Sequence, residues 1–333
     1  MPITYKKYLP NVLKRKLRSF NVLFCTYWNY SKDANLYLKA RRNKTKASYD
    51  SYVFATAHSL EKGLSLNKRR SDFGEAKVQN LLTFLHVNHW NLSKTSIEMA
   101  LGALTTYKEF RLKENNSTEL TNEITRLCTF ISVTYNIRLD LGGTYEIRRE
   151  SLEHLQSFNF EKFLKSRKSI RHFHESFSEN DIQKVKQSAE LAILTPSQCN
   201  RQSSKVHVFT NRTLIHELLK IQDGATGFSE EVPCLAVITN DLSYWQSPSQ
   251  RNQAWLDGGL FGMTFILGLH SNGLATCTLN MAKNFVDEKI FKETANINEY
   301  ERVLFLVAIG NYPEIFRVAK SHRYSADDFY KLH

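Results

Sequence analysis

Between Arg167 and Gln202 the sequence holds two polar clusters whose residue types could bind and orient a charged ligand. The first, Arg167-Lys168-Ser169-Ile170-Arg171, packs three cations and a hydroxyl into five residues. Such a group can hold a doubly charged phosphate through charge-assisted hydrogen bonds, Arg by its planar fork and Ser by its O–H. The second, Pro196-Ser197-Gln198-Cys199-Asn200-Arg201-Gln202, offers a hydroxyl and side-chain amides that both donate and accept. Taken singly, they read as a solvated basic turn and a polar loop. A helix-like segment from about Glu179 to Leu194 joins them. It opens at Ser178, an N-cap type with Asp181 three residues on, a variant of the capping box.

The order of these pieces changes their meaning. An R-x-S-x-R turn, a helix and a P-S-x-x-N-x-Q loop resemble the opening of the nitroreductase family of FMN-dependent oxidoreductases. The rest of that pattern follows in order: an apolar strand after Pro233, then a small-residue helix from about Gln250. Gly273-Leu274 leads into Cys277, a strand ends at Ile309-Gly310, and Arg323 comes late. The resemblance runs from about Phe160 to the C-terminus. It implies that Arg167, Lys168, Ser169, Arg171 and Arg323 hold the FMN phosphate. It also implies that Pro196, Ser197, Asn200 and Gln202 read the ribityl chain and ring edge. The backbone at Leu279 and Asn280 would pass flavin N5 and donate an N–H to it. Two departures stand out. Asn280 occupies a place where the family often has an acidic residue or Gly, and Ser203-Ser204 follow the loop Gln where Pro and an aromatic are common.

The same resemblance implies a two-fold homodimer with FMN at the interface, the helix from Gln250 in the dimer core, and NAD(P)H as electron donor. Three other readings stay open. The flavin could oxidise a substrate and return electrons to oxygen; the chain could be a non-catalytic flavin-binding or scaffold protein; or it could act at a membrane surface.

The whole chain carries a net charge of +12, very unevenly spread. Residues 1–50 hold twelve Lys and Arg against Asp33 and Asp50 alone, a net +10 that leaves the remainder near neutral. Any partner implied by charge therefore belongs to this basic start. From Leu9 to Trp28 apolar and aromatic residues recur at helical spacing with Lys14, Arg15 and Arg18 largely between them. Such a helix can lie on an anionic membrane surface, or simply pack on its own protein. No nucleic-acid motif accompanies the charge, so none is expected as a partner. Five scattered cysteines without C-x-x-C spacing argue against a disulfide framework or zinc site and fit a reducing compartment. No secretory segment is expected, nor is any apolar run of about 18 residues present, so the expected location is the cytoplasm, peripheral to the inner face of the membrane if the helix lies on lipid.

Further along, a helical stretch from Tyr49 carries His58, Glu61 and Lys62 on one face, with Gly63 expected just past its end. A loop with Lys68, Arg69 and Arg70 follows. His58 and Glu61 are candidates for proton transfer to an anionic or nucleotide-linked acceptor; the plain alternative is a solvated helix end. The H-x-x-E-K-G-L…R-x-x-F-G arrangement also resembles the front extension of nitroreductase-like proteins associated with bacterial surface-polysaccharide synthesis. Two or three more helices follow from about Lys77 to Ile131. The expected architecture is α+β, a nitroreductase-like mixed sheet flanked by helices, with an added helical N-terminal region. The boundary is set near residue 155, giving 1–154 and 155–333. Four glycines, Gly258, Gly259, Gly262 and Gly268, suggest a helix face that a backbone or a flat ring approaches closely.

Overall fold

The computed structural model describes residues 11–65, 73–114, 119–144, 158–316, 318 and 330–333. Five helices come first: α1 (Asn11–Arg42), α2 (Lys46–Leu64), α3 (Glu75–Asn88), α4 (Lys94–Lys113) and α5 (Glu119–Tyr135). Then α6 (Phe160–Ser166), α7 (Glu179–Ile193), β1 (Ser204–Phe209), α8 (Arg212–Gln222) and β2 (Cys234–Asp241) follow. The described order ends with α9 (Gln253–Ser271), β3 (Ala275–Asn280), α10 (Phe285–Thr294) and β4 (Glu301–Gly310). The class is α+β, as expected. The four strands pair antiparallel in the order β1-β2-β4-β3, and parallel pairing among the described residues is confined to one bridge, Ser169 with Thr276.

The two continuous apolar runs became the two central strands, because only an interior strand hides both of its faces. Every residue of β2 is buried. Leu235 and Val237 point into a core shared with Ile215 and Leu218 of α8 and Phe291 of α10. Cys234, Ala236 and Ile238 point the other way, onto Val185 of α7 and Phe265 and Leu269 of α9. The strand period of two thus feeds two layers of helix. At the head of α7 the capping box forms as read: the Ser178 side chain accepts from the Asp181 N–H, and the Asp181 carboxylate accepts from the Ser178 N–H.

The first helices build a core of their own, centred on Leu60, Leu81, Leu104, Tyr107 and Ile124. The second half of α1 does not join it. Its Leu36 and Ala40 pack with Leu242, Trp245 and Ala254, on the far side of the expected boundary. The expected boundary near residue 155 lies outside the described residues.

Two glycine readings are corrected. Gly63 is not past the end of a helix; α2 continues through it to Leu64 with Ser65 as C-cap. A Cβ at Gly63 would lie 2.0 Å from the Phe73 ring, so the glycine serves a close contact instead of a helix stop. On α9 the approach is by the chain's own side chains. Leu304 covers Gly258, Phe305 covers Gly262, and Gly259 has nothing within 4 Å. A backbone comes close only at Gly268, where α7 passes at Ser188. This helix begins at Gln253, after a short turn at Pro248–Gln250.

Candidate functional site

The phosphate candidates lie along the outer edge of β3. α6 ends at Arg167, the chain turns extended, and the Ile170 N–H donates to the Thr276 carbonyl at 2.8 Å. Buried Ile170 anchors this stretch, which leaves Arg167 and Ser169 half-buried and Lys168 and Arg171 exposed. Among the described residues no carboxylate lies within ion-pair distance of Arg167, Lys168 or Arg171, although nearby Lys165 pairs with Glu161 and His172 with Glu231. His270 stands beside this cluster, its Nε2 2.7 Å from the Ser166 hydroxyl and its Nδ1 3.2 Å from the Tyr312 hydroxyl. Burial, then the charge of Arg167, lowers the His270 pKa. Burial raises the Cys277 thiol, and Arg171 partly opposes that. Three cations with no carboxylate partner among the described residues offer what a dianion needs.

The second cluster forms a tight loop leading into β1. Three of its non-glycine residues, Cys199, Asn200 and Gln202, hold left-handed backbone angles, with φ of 54°, 52° and 53°. Such conformations cost roughly 1–3 kcal/mol each and persist only where surrounding contacts over-determine them. Here the contacts are plain. The Gln202 N–H donates to Ser197 Oγ at 3.1 Å, and the Gln198 N–H donates to the Asp257 carboxylate at 2.9 Å. Arg201 is buried and donates through Nε to Ser51 Oγ of α2 at 2.9 Å and through Nη1 to the Gln198 carbonyl at 3.2 Å. Ser51 in turn donates to the Tyr244 carbonyl at 2.6 Å, and the guanidinium lies over the Trp245 ring. Asn200 reaches Met99 of α4, Nδ2 to Sδ 3.4 Å. Beside the loop is a cavity of about 220 Å³ lined by Thr195, Pro196, Ser197, Gln202, Asp257 and Phe261. The Thr195 hydroxyl is buried there without a hydrogen-bond partner among the described residues.

One chain does not bring the two clusters together. The loop enters β1 at one edge of the sheet, whereas Ser169 lies beyond β3 at the other. Four strand spacings separate them, roughly 19 Å at about 4.8 Å each. The strand registers also place them at opposite ends, since Ser204 aligns with Asn240 while Thr276 aligns with Ile309. The end of β3 is pinned separately: buried Gln222 donates through Nε2 to the Asn280 carbonyl at 2.8 Å. Leu279 is buried and Asn280 exposed, its side-chain oxygen taken by the Ala282 N–H.

His58 and Glu61 sit on α2, Nδ1 to Oε2 3.3 Å. The other carboxylate oxygen of Glu61 accepts the Gly143 N–H at 2.9 Å. Neighbouring Gly142 packs so closely on α4 that a Cβ there would meet the Met99 carbonyl at 2.2 Å. Met99 is the residue that touches Asn200, so this face is linked to the strained loop through Gly142-Gly143 and α4. Arg69, Arg70 and Arg323 lie outside the described residues.

Residues 220–311 match the model of the Nitroreductase family. That segment contains β2, β3, β4 and α9, the frame on which both clusters hang. Among solved structures, a nitroreductase family protein from Streptococcus pneumoniae TIGR4 is 20% identical, with 53% of this chain and 100% of that one covered and a TM-score of 0.45. An FMN-dependent nitroreductase from Clostridium difficile R20291 is 19% identical, over 51% of this chain and 98% of that one, at a TM-score of 0.42. A nitroreductase-like protein from Streptococcus mutans is 18% identical, over 53% and 98%, at 0.45. No curated protein matches the chain.

Sequence reasoning missed Arg201, Ser51 and Gln222 as supports of the site. An arginine inside a polar loop reads as solvated, and nothing local signals that a helix 150 positions earlier buries it.

Proposed function

We propose that this chain is an FMN-dependent oxidoreductase that takes electrons from NAD(P)H and passes them to a small-molecule acceptor, working as a homodimer. The observation that carries this reading is the trio Arg167, Lys168 and Arg171, which has no carboxylate partner among the described residues and runs beside β3, a strand inside the segment matched by the family model. Bound FMN would supply two-electron chemistry at N5. The chain's own part is to hold, aim and shield. Arg167, Ser169 and Arg171, with Arg323, would grip the phosphate. Ser197, Asn200 and Gln202 would present fixed polar groups to the ring and ribityl chain. The backbone at the end of β3, near Leu279 and Asn280, would offer an N–H, since the Asn280 side chain is already engaged.

The separation of the clusters supports a two-copy site, in which the loop of one copy faces the cations of the other. A face able to join two copies exists: Trp255, Leu256, Leu260 and Met263 of α9 are exposed, as are Leu191, Ile193 and Leu194 at the end of α7. We place the acceptor against the His58/Glu61 side of the loop. An anionic or nucleotide-linked molecule, of the kind surface-polysaccharide synthesis uses, would suit Lys62 and the cations that follow it in the sequence. Five free cysteines and a nicotinamide donor fit work in the cytoplasm.

The test is optical. Purified protein, reconstituted with FMN under anaerobic conditions, should show flavin absorbance that bleaches on adding NADH or NADPH. Flavin retained but never bleached would favour a binding role, and failure to retain FMN would overturn the reading.

A further inference from the structure

The first half of α1 presents an apolar stripe that is exposed among the described residues. Phe20, Leu23, Phe24 and Tyr27 recur at i, i+3, i+4 and i+7 and are 71%, 58%, 57% and 71% exposed. Trp28 and Tyr30 border the stripe and are also exposed. The same helix touches the body with a different face. Asn29 accepts the Phe285 N–H at 2.9 Å, Asp33 pairs with Arg302, and Leu36 and Ala40 are buried. At about 100° per residue, these contact positions centre on the side of the helix opposite the stripe. The helix is therefore anchored at its second half and points its aromatic stripe away from its own protein.

Charge identifies what would cover it. Lys6, Lys7, Lys14, Arg15, Lys16, Arg18 and Lys32 precede the first acidic residue, Asp33. A second copy would bring alongside a segment of the same positive sign, with no acidic residue before Asp33 to pair with it. An anionic lipid surface complements them and also takes up Phe, Leu, Trp and Tyr at its interface. None of the described helices is long and apolar enough to cross a membrane, so contact by this route lies in the plane of the surface.

We propose that residues 11–30 of α1 form a membrane-docking helix that seats its Phe20/Leu23/Phe24/Tyr27 stripe among the acyl chains of an anionic leaflet. The Lys and Arg of the same segment draw it to the anionic headgroups by longer-range attraction. Binding therefore needs both elements, and the sheet domain is tethered beside the surface through the Asp33–Arg302 and Leu36–Ala40 contacts.

Cosedimentation of the full chain with lipid vesicles tests this. Binding is expected to phosphatidylcholine vesicles carrying roughly 30% phosphatidylglycerol, and to weaken sharply without the anionic lipid and in high salt. Replacing Lys14, Arg15 and Arg18 together by Gln should weaken binding roughly a hundredfold, at about fivefold per cation. The triple change Phe20→Ser, Leu23→Ser and Phe24→Ser should weaken it by at least about tenfold. These side chains make no core contacts, so melting temperature and FMN absorbance should match the parent, which separates this test from that of the cofactor. Absence of binding to the anionic vesicles overturns the proposal, as does full binding by the stripe variant. A stripe variant that loses dimer mass in light scattering while keeping its vesicle affinity would assign the stripe to a second copy and overturn it too.

Discussion

Arg201 is the side chain through which the helical region holds the strained loop. Its replacement by Met keeps most of the volume and removes every hydrogen bond. The lost contacts are two charged-donor bonds, to Ser51 Oγ and the Gln198 carbonyl, and the approach to Trp245. Bonds of that kind contribute about 1.5–3 kcal/mol each. Left-handed angles at Cys199, Asn200 and Gln202 store strain of the same order, so without Arg201 the loop should relax toward ordinary backbone angles. Global stability should fall by about 3 kcal/mol, or a melting temperature about 6 °C lower for a chain of this size. On the proposed function FMN would then have to reorder the loop on binding, and its affinity should drop on the order of tenfold to a hundredfold. Calorimetric melting and quenching of flavin fluorescence measure the two effects. Arg201→Lys, which keeps a charged donor but loses the fork, should fall between. If Arg201→Met melts and binds FMN like the parent, the loop is held by its own internal bonds and the coupling to α2 is wrong.

Arg167→Ala should weaken FMN binding by about tenfold or more without lowering the melting temperature, since the side chain has no partner to lose among the described residues; unchanged affinity by titration would remove it from the phosphate site. Dilution followed by light scattering and flavin fluorescence should show FMN released as the dimer separates, whereas a monomer that keeps its flavin would refute a site built by two copies. Glu301 is buried; burial alone would raise its pKa, but hydrogen bonds from His207, Lys205 and Thr239 outweigh that and hold it at about 2. A depressed carboxylate contributes stability that is complete above its unfolded value near 4.5 and is lost as pH falls toward 2. Acid titration of the parent should lose on the order of 3 kcal/mol through this group across that window; Glu301→Gln should be less stable at neutral pH and show a shallower acid transition.

Much of the sheet frame was legible because it rests on short-range chemistry. The Ser178/Asp181 cap closes within four residues, and the apolar runs at Cys234–Ile238 and Val303–Ile309 leave a strand no exposed face to turn outward. Both polar clusters were visible for the same reason, since residue type and spacing alone define them. Sheet order was not. Pairing of β2 with β4 inserts a strand from some 65 positions later between β2 and β3, and that choice drives the two clusters to opposite edges. The helix stop at Gly63 failed similarly, because the residue that occupies its empty face, Phe73, arrives from beyond the helix. Nor could the sequence tell that Ser51 meets Arg201, or that the aromatic stripe of α1 stays bare while Leu36 and Ala40 are buried. Local hydrogen bonds and periodicity fix what each segment is. Which segments touch depends on a competition among contacts far apart in the chain, where loop closure is costly and burial repays it only once the whole sheet has formed.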